Sequence, residues 1–163
     1  MKKLILVCGP AGIGKSTFSR RYRENHPEEE VRVISADDTR AELLGGYDKF
    51  PSNGNMLPVY DEMIARAKKI AAENESVTVI FDTTSLTDKR RLYYLDRLEG
   101  AFDWFGLVML RLHDYGKCLE RNARREGARR VPDQVIRDMC EHYEDPSPST
   151  LARFQDFDEI YVD

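Results

Sequence analysis

The sequence predicts a doubly wound α/β domain, a five-stranded parallel sheet with helices on both faces, and three observations carry that expectation. Short runs rich in valine, isoleucine and leucine alternate with stretches of helical periodicity, the strand-helix order of a parallel sheet. The fourth of these runs, Phe105 to Leu112, is apolar almost throughout, as a strand covered on both faces should be. The first, Leu4-Ile5-Leu6-Val7, passes directly into Gly9-Pro10-Ala11-Gly12-Ile13-Gly14-Lys15-Ser16, a glycine loop of the kind that joins a strand to a helix.

The elements follow in order. After the loop, a helix from about Lys15 to Arg23 carries Phe18 and Tyr22 four residues apart on its inner face, and Asn25-His26-Pro27 ends it. Val31 to Ile34 is the second strand, followed by a short helix from Thr39 to Leu44 that Asp37 or Asp38 is expected to cap and Gly45-Gly46 to stop. Tyr47 to Pro58, with Pro51, Asn53, Gly54, Asn55 and Pro58, reads as an irregular, mobile loop long enough to suggest function. A helix from Val59 to Glu73 leads to the strand Val77 to Phe81. Thr87 caps a helix through Leu98, with Leu92, Leu95 and Leu98 turned inward and Arg90, Arg91 and Arg97 solvated. The strand Phe105 to Leu112 precedes a helix from Asp114 to Arg125, a basic turn, and a helix from Pro132 to Tyr143 with proline at its first position. A helical turn from Thr150 to Phe154 and an edge strand from Glu159 to Val162 complete the chain.

A length of 163 residues suits one domain, 1–163, able to bury a shared core. The net charge of −4 gives no global attraction to nucleic acid or anionic membrane, so any polyanion must be held by a local basic patch. The apolar run after Met1-Lys2-Lys3 stops at Gly9-Pro10, too short for a signal peptide, and no run reaches the length of a membrane span. Three cysteines, Cys8, Cys118 and Cys140, form no C-x-x-C pair and favour a reducing compartment, so a cytoplasmic location is expected. Nothing in the sequence calls for an obligate protein partner.

The chemistry centres on the glycine loop, which fits G-x-x-x-x-G-K-[ST]. Its backbone N–H groups point inward at phosphates, and the following helix adds the positive end of its dipole. Gly9, Gly12, Ile13, Gly14, Lys15, Ser16 and Thr17 are therefore candidate binding residues for ATP or another nucleoside triphosphate, with Lys15 reaching the β/γ-phosphates and Ser16 ligating Mg²⁺. Asp82 ends an apolar strand, the form of an acid that supports Mg²⁺. Thr83 and Thr84 beside it suit contact with an acceptor or a capped turn. Asp37 and Asp38 follow the second strand, where one carboxylate can take the proton of an attacking hydroxyl; spacing does not say which. Arg40 lies three residues beyond Asp37, where its planar fork suits an acceptor's phosphate. Arg121, Arg124, Arg125, Arg129 and Arg130, with Gly127 among them, are the local basic patch and read as an arginine-rich lid over a transferred phosphoryl group, against the plainer reading of a solvated helix face.

Taken together, these residues resemble the phosphate-loop kinases of the phage-type 5′-hydroxyl polynucleotide kinase group. The likeness runs from Met1 to about Tyr143 and rests on the loop, Asp37-Asp38-Thr39-Arg40, Asp82-Thr83-Thr84, and Arg121-Asn122 through Val131-Pro132. The resemblance implies a single-domain kinase fold. It implies that Asp37 is the general base, that Arg40 contacts the substrate phosphate, that Arg121 belongs to the nucleotide site and that Arg125 is the lid arginine. The segment before Val131-Pro132 is one residue longer than the family pattern, which leaves Arg124 as the alternative. Related small kinases act on sugars, antibiotics, nucleosides or tRNA-linked residues with much the same parts, so the acceptor is a hydroxyl that the sequence leaves open, with 5′-hydroxyl nucleic acid ends first. A nucleotide-dependent switch without an acceptor is the second class; it has no use for Asp37 or an arginine lid, and the N-K-x-D guanine motif is absent.

Overall fold

A computed structural model describes residues 1–163. Strands β1 (Lys2–Cys8), β2 (Val31–Ser35), β3 (Val77–Asp82), β4 (Trp104–Arg111) and β5 (Asp156–Tyr161) form one sheet in the order β2-β3-β1-β4-β5. Every neighbouring pair is parallel. Each parallel link needs a crossover, and the helices α1 (Lys15–Asn25), α2 (Ala36–Leu44), α3 (Leu57–Glu73), α4 (Asp88–Leu98), α5 (Gly116–Ala123), α6 (Asp133–Glu141) and α7 (Pro148–Leu151) lie between the strands.

Alternation along β1 divides the interior into two layers. Leu4, Leu6 and Cys8 face a core shared with Met63, Ala67, Leu95 and Leu98 of α3 and α4. Ile5 and Val7 face the other core, with Cys118 and Ile136 from α5 and α6 and half-buried Phe18 and Tyr22 from α1. Since successive strand residues point to opposite faces, a sheet covered on both sides must be apolar at every position, and β3 and the middle of β4 are buried throughout. The registers Val7↔Asp82 and Ser35↔Asp82 bring the carboxyl ends of β1, β3 and β2 level. At that edge the glycine loop, Asp82 and the start of α2 meet.

Several boundaries differ from the sequence expectation for local reasons. Helix α2 begins at Ala36, and its cap is Ser35, whose hydroxyl accepts from the Asp38 N–H at 3.2 Å. Asp37 and Asp38 are thus first-turn acids facing the helix dipole rather than caps. Helix α3 starts at Leu57 with Pro58 in its first turn, where a missing N–H costs nothing. Pro132 is the N-cap of α6 and not its first residue. Helix α5 ends at Ala123, so Arg125 lies beyond it and not one turn after Arg121 on a helical face. The helical turn near the end is Pro148–Leu151, and β5 begins three residues earlier than Glu159.

The largest departure is Arg91, expected on the solvated face of α4 and found fully buried. Its Nε donates to the Ser85 carbonyl at 3.0 Å, and Nη2 donates to the carbonyls of Leu86 and Glu144 at 3.1 and 2.7 Å. Nη1 meets Asp88 at 3.0 Å. One guanidinium therefore ties the β3-α4 turn, where Ser85 is held at φ 43°, to the segment after α6. Replacing it takes the shared donor from three carbonyls, that of buried Ser85 among them, and from a carboxylate, so Arg91→Met is expected to destabilise the fold by about 3 kcal/mol or more. Urea unfolding checks this; a loss within the range of a surface substitution, about 0.5 kcal/mol, would show the contacts to be replaceable by water.

Candidate active site

A cavity of about 1000 Å³ opens at the carboxyl edge of the sheet. Its floor is the glycine loop. Gly12 has φ +83°, and a Cβ there would lie 2.7 Å from the Cys118 carbonyl oxygen of α5. Only glycine fits both that backbone and that contact. Gly14, at φ +115°, is the N-cap of α1 and offers no side chain to the helix, whose first turn holds no acid. The open N–H groups of that turn suit an anion.

Lys15 and Ser16 stand at the same end. Lys15 Nζ donates to the loop's own Gly9 and Pro10 carbonyls at 3.0 and 3.1 Å. Burial holds its ammonium below the usual lysine pKa, an effect that Asp82 and Asp37 oppose and Arg125 reinforces. Ser16 Oγ donates to Asp82 Oδ2 at 2.9 Å. Asp82 is 9% exposed, and burial raises its pKa above the ordinary carboxylate value despite the pull of Lys15 and Ser16. The hydroxyl and the carboxylate form a hard oxygen pair of the type Mg²⁺ takes alongside phosphates and water, so the donor set fits that ion.

The shifted carboxyl has a consequence for stability. A carboxylate whose pKa rises on folding is penalised when charged, so the fold loses stability as pH climbs through that pKa. Asp82→Asn removes the charge while its amide oxygen can still accept from Ser16. The expected result is a higher Tm than the wild type at neutral pH and a difference that shrinks as pH falls through the ordinary carboxylate range, about 4, below which neither the folded nor the unfolded wild type carries the charge. Thermal melts across pH check it.

Across the cavity, Asp37 presents a carboxylate that is 55% exposed and bonded on one oxygen to Arg40 Nη1 at 2.9 Å. Arg40 lines the same cavity but is only 6% exposed. Its Nε and Nη2 donate to the Lys49 and Tyr47 carbonyls at 2.9 and 2.7 Å, and its guanidinium lies 4.1 Å from the centre of the Phe50 ring. Arg40 thus orders the Tyr47–Phe50 stretch while keeping one edge towards Asp37. Thr83 and Thr84 lie between the two ends, and the Thr84 carbonyl accepts from Gly9 N at 3.0 Å, fixing where the loop begins.

The arginine-rich segment forms the remaining wall. Arg125 lines the cavity, whereas Arg124 is exposed and does not line it. The Gly127–Arg129 turn is a single 3₁₀ turn. Asn122, fully buried, donates to the Val131 carbonyl at 2.6 Å and accepts from Val131 N at 2.9 Å, drawing the two ends of the segment together. Arg121 lies below, donating to the Ile13 carbonyl at 2.7 Å and to the Val162 carbonyl at 3.1 Å. Beyond it a second cavity of about 580 Å³ continues along α1, lined by Phe18, Tyr22, Ile160 and Val162 among others.

Lys15, Ser16, Thr17, Gly12, Gly14, Asp37, Arg40, Asp82, Thr83, Thr84, Arg121 and Arg125 therefore share one cavity, while Ile13 lines only the adjoining one and Gly9 supports the loop from beneath. Sequence reasoning missed the apolar side of the cleft, Phe50, Met56 and Tyr60, and the second cavity. The aromatic residues of the irregular 47–58 loop were the available signal for the first.

Comparison with known proteins agrees with the fold. A family model described as an AAA domain matches residues 4–146. Adenylate kinase from Wolinella succinogenes is 33% identical over 82 residues, 45% of this chain and 43% of that protein. L-seryl-tRNA(Sec) kinase from Methanococcus maripaludis is 25% identical over 148 residues, 88% of this chain and 53% of that protein. The chain spans about half the length of these curated relatives. Chaetomium thermophilum Kti12, solved in complex with ADP-AlF3, is similar with a TM-score of 0.73 over 98% of this chain and 89% of that one, at 17% identity. At that identity the likeness is one of fold.

Proposed function

Since the chain belongs to the AAA domain family, we propose that it transfers the γ-phosphate of ATP or another nucleoside triphosphate to a hydroxyl, and that the hydroxyl is the 5′ end of a polynucleotide. The observation that carries the transfer reading is Asp37, an accessible carboxylate facing the cavity that holds Lys15, Ser16 and Asp82. A protein that only bound nucleotide would need no base at that position.

In this reading the glycine loop and Lys15 hold the phosphates, and Ser16 with Asp82 holds Mg²⁺, which when bound neutralises charge on the β- and γ-oxygens. The acceptor hydroxyl lies against Asp37, which takes its proton as the oxygen bonds to the γ-phosphorus and the bond to the β-bridging oxygen breaks. Arg125 answers the charge spread over the transferred group. Arg125→Ala is expected to slow the chemical step more than it weakens ATP binding, and lysine to rescue poorly for want of the planar fork. Single-turnover rates beside nucleotide affinities check this, and equal losses in both would mark Arg125 as a plain ground-state contact.

Support for a polynucleotide end comes from the Asp37–Arg40 pair and from the arginines gathered along one wall of a chain whose net charge is otherwise −4. A second reading, a small uncharged acceptor such as a sugar or nucleoside, is favoured by one observation: the Arg40 guanidinium is already engaged by Asp37, Tyr47, Lys49 and Phe50. Labelled ATP offered with short 5′-hydroxyl DNA and RNA oligonucleotides and with a panel of sugars and nucleosides separates the two. Transfer to oligonucleotides that weakens as salt rises supports the first reading; transfer confined to small acceptors eliminates it. A cytoplasmic location belongs to the same reading and is supported by three free cysteines; no helix is long and apolar enough to cross a membrane.

A further inference from the structure

The two adjacent acids at the start of α2 do different work, and we infer that Asp38 is a positioning residue, the dock on which the arginine-rich segment closes. Asp37 and Asp38 are consecutive on a helix, so their side chains diverge by about 100°. Asp37 lines the cavity, whereas Asp38 does not and instead meets Tyr47 and Arg129, which do. A single oxygen of Asp38, Oδ1, accepts from Tyr47 Oη at 2.7 Å and from Arg129 Nη2 at 3.4 Å. The Arg129 guanidinium also lies 4.2 Å from the centre of the Tyr47 ring. Arg129 comes from the 3₁₀ turn between α5 and α6, and Tyr47 from the loop that follows α2. Asp38 is therefore the point where the two walls of the cleft touch.

From there the contact reaches the candidate base. The Tyr47 carbonyl accepts from Arg40 Nη2 at 2.7 Å, and Arg40 Nη1 meets Asp37 at 2.9 Å. When the arginine segment is docked, Tyr47 is held, the guanidinium of Arg40 is held by Tyr47, and the Asp37 carboxylate is aimed by Arg40. The Asp38 and Arg129 side chains are about half exposed, at 49% and 48%. An exposed ion pair and a solvated cation–π contact are each weak. Weak contacts suit a closure that must open once per turnover to exchange substrates. That last step rests on the phosphotransfer reading; the docking itself does not.

The test separates the two. Amide hydrogen exchange across residues 126–130 is measured with the whole protein as wild type, Asp38→Asn, Arg129→Gln and the double variant. Each single change is expected to raise exchange several-fold, and the double by no more than the larger single effect, because both remove the same contact. Tyr47→Phe, which deletes one hydroxyl, should raise it less. The exchanged pair Asp38→Arg with Arg129→Asp should regain protection, which a residue that merely stabilised α2 would not allow. Additive effects, unchanged exchange in the single variants, or no recovery in the exchanged pair would overturn the dock. Where transfer is measurable, Asp38→Asn is expected to raise the acceptor KM with a smaller loss of kcat than Asp37→Asn shows; the reverse order overturns the division of roles. Coupling in exchange with no transfer to any hydroxyl would sink the phosphotransfer reading and leave the dock standing.

Discussion

Lys15→Ala is expected to abolish nucleotide turnover, a loss of at least about 10²- to 10³-fold if the ammonium acts as one preorganised donor to charge developing on the phosphates, while the protein folds as before. The fold does not depend on this side chain. The loop's course is set by the backbone of Gly12 and Gly14, by the Gly9 N–H bond to Thr84 and by the Cys118 carbonyl beneath it. Lys15 bonds only to Gly9 and Pro10 of its own loop, and burial already disfavours its charge. Urea unfolding should therefore give a cooperative transition with a stability close to that of the wild type, the relief of burying the ammonium being offset by the lost attraction to Asp82. Wild-type turnover by a folded Lys15→Ala protein would falsify the phosphate-binding role of the loop and with it the proposed reaction.

Asp37→Asn should lower kcat by at least about 10²-fold, the usual size of general-base catalysis, with nucleotide affinity little changed. The amide keeps an oxygen for Arg40, so the Tyr47–Phe50 stretch should stay ordered, and a half-exposed site carries little stability. What disappears is the ability to accept a proton. Steady-state kinetics with nucleotide affinity measured separately decides the matter: greater damage to kcat from Asp38→Asn would make Asp38 the base.

The parts that were legible in the sequence share a property: their information is local. The glycine loop is a contiguous motif, and Asp82 ends a run of apolar residues whose burial on both faces fixes where the strand stops. The five strands and their parallel order follow from alternation with helices. What the sequence hid depends on residues far apart in the chain. Arg91 reads as solvated from its neighbours, and only the arrival of Glu144, 53 residues away, makes a buried guanidinium tolerable. The start of β5 is hidden because Asp156 and Asp158 are polar, as an exposed edge allows. Ser35 is hidden as a cap because Asp37 and Asp38, two and three residues on, share the same preference. Arg40 illustrates the limit within the site: its spacing from Asp37 was readable, but the Tyr47 and Lys49 carbonyls that occupy it belong to a loop with no regular pattern.

The clasp between Asn122 and Val131 bears on how such a protein diversifies. Because one buried amide holds both ends of the 123–130 segment at a fixed separation, the residues between them form a closed loop whose length is uncoupled from the sheet. Lengthening a loop with fixed ends costs little conformational entropy, about 0.6 kcal/mol for each doubling. A change of length in that segment would therefore leave the sheet and the glycine loop where they are. It would instead shift Arg125 and Arg129 along the cavity wall, so the reach of these guanidiniums can vary while the sheet stays fixed.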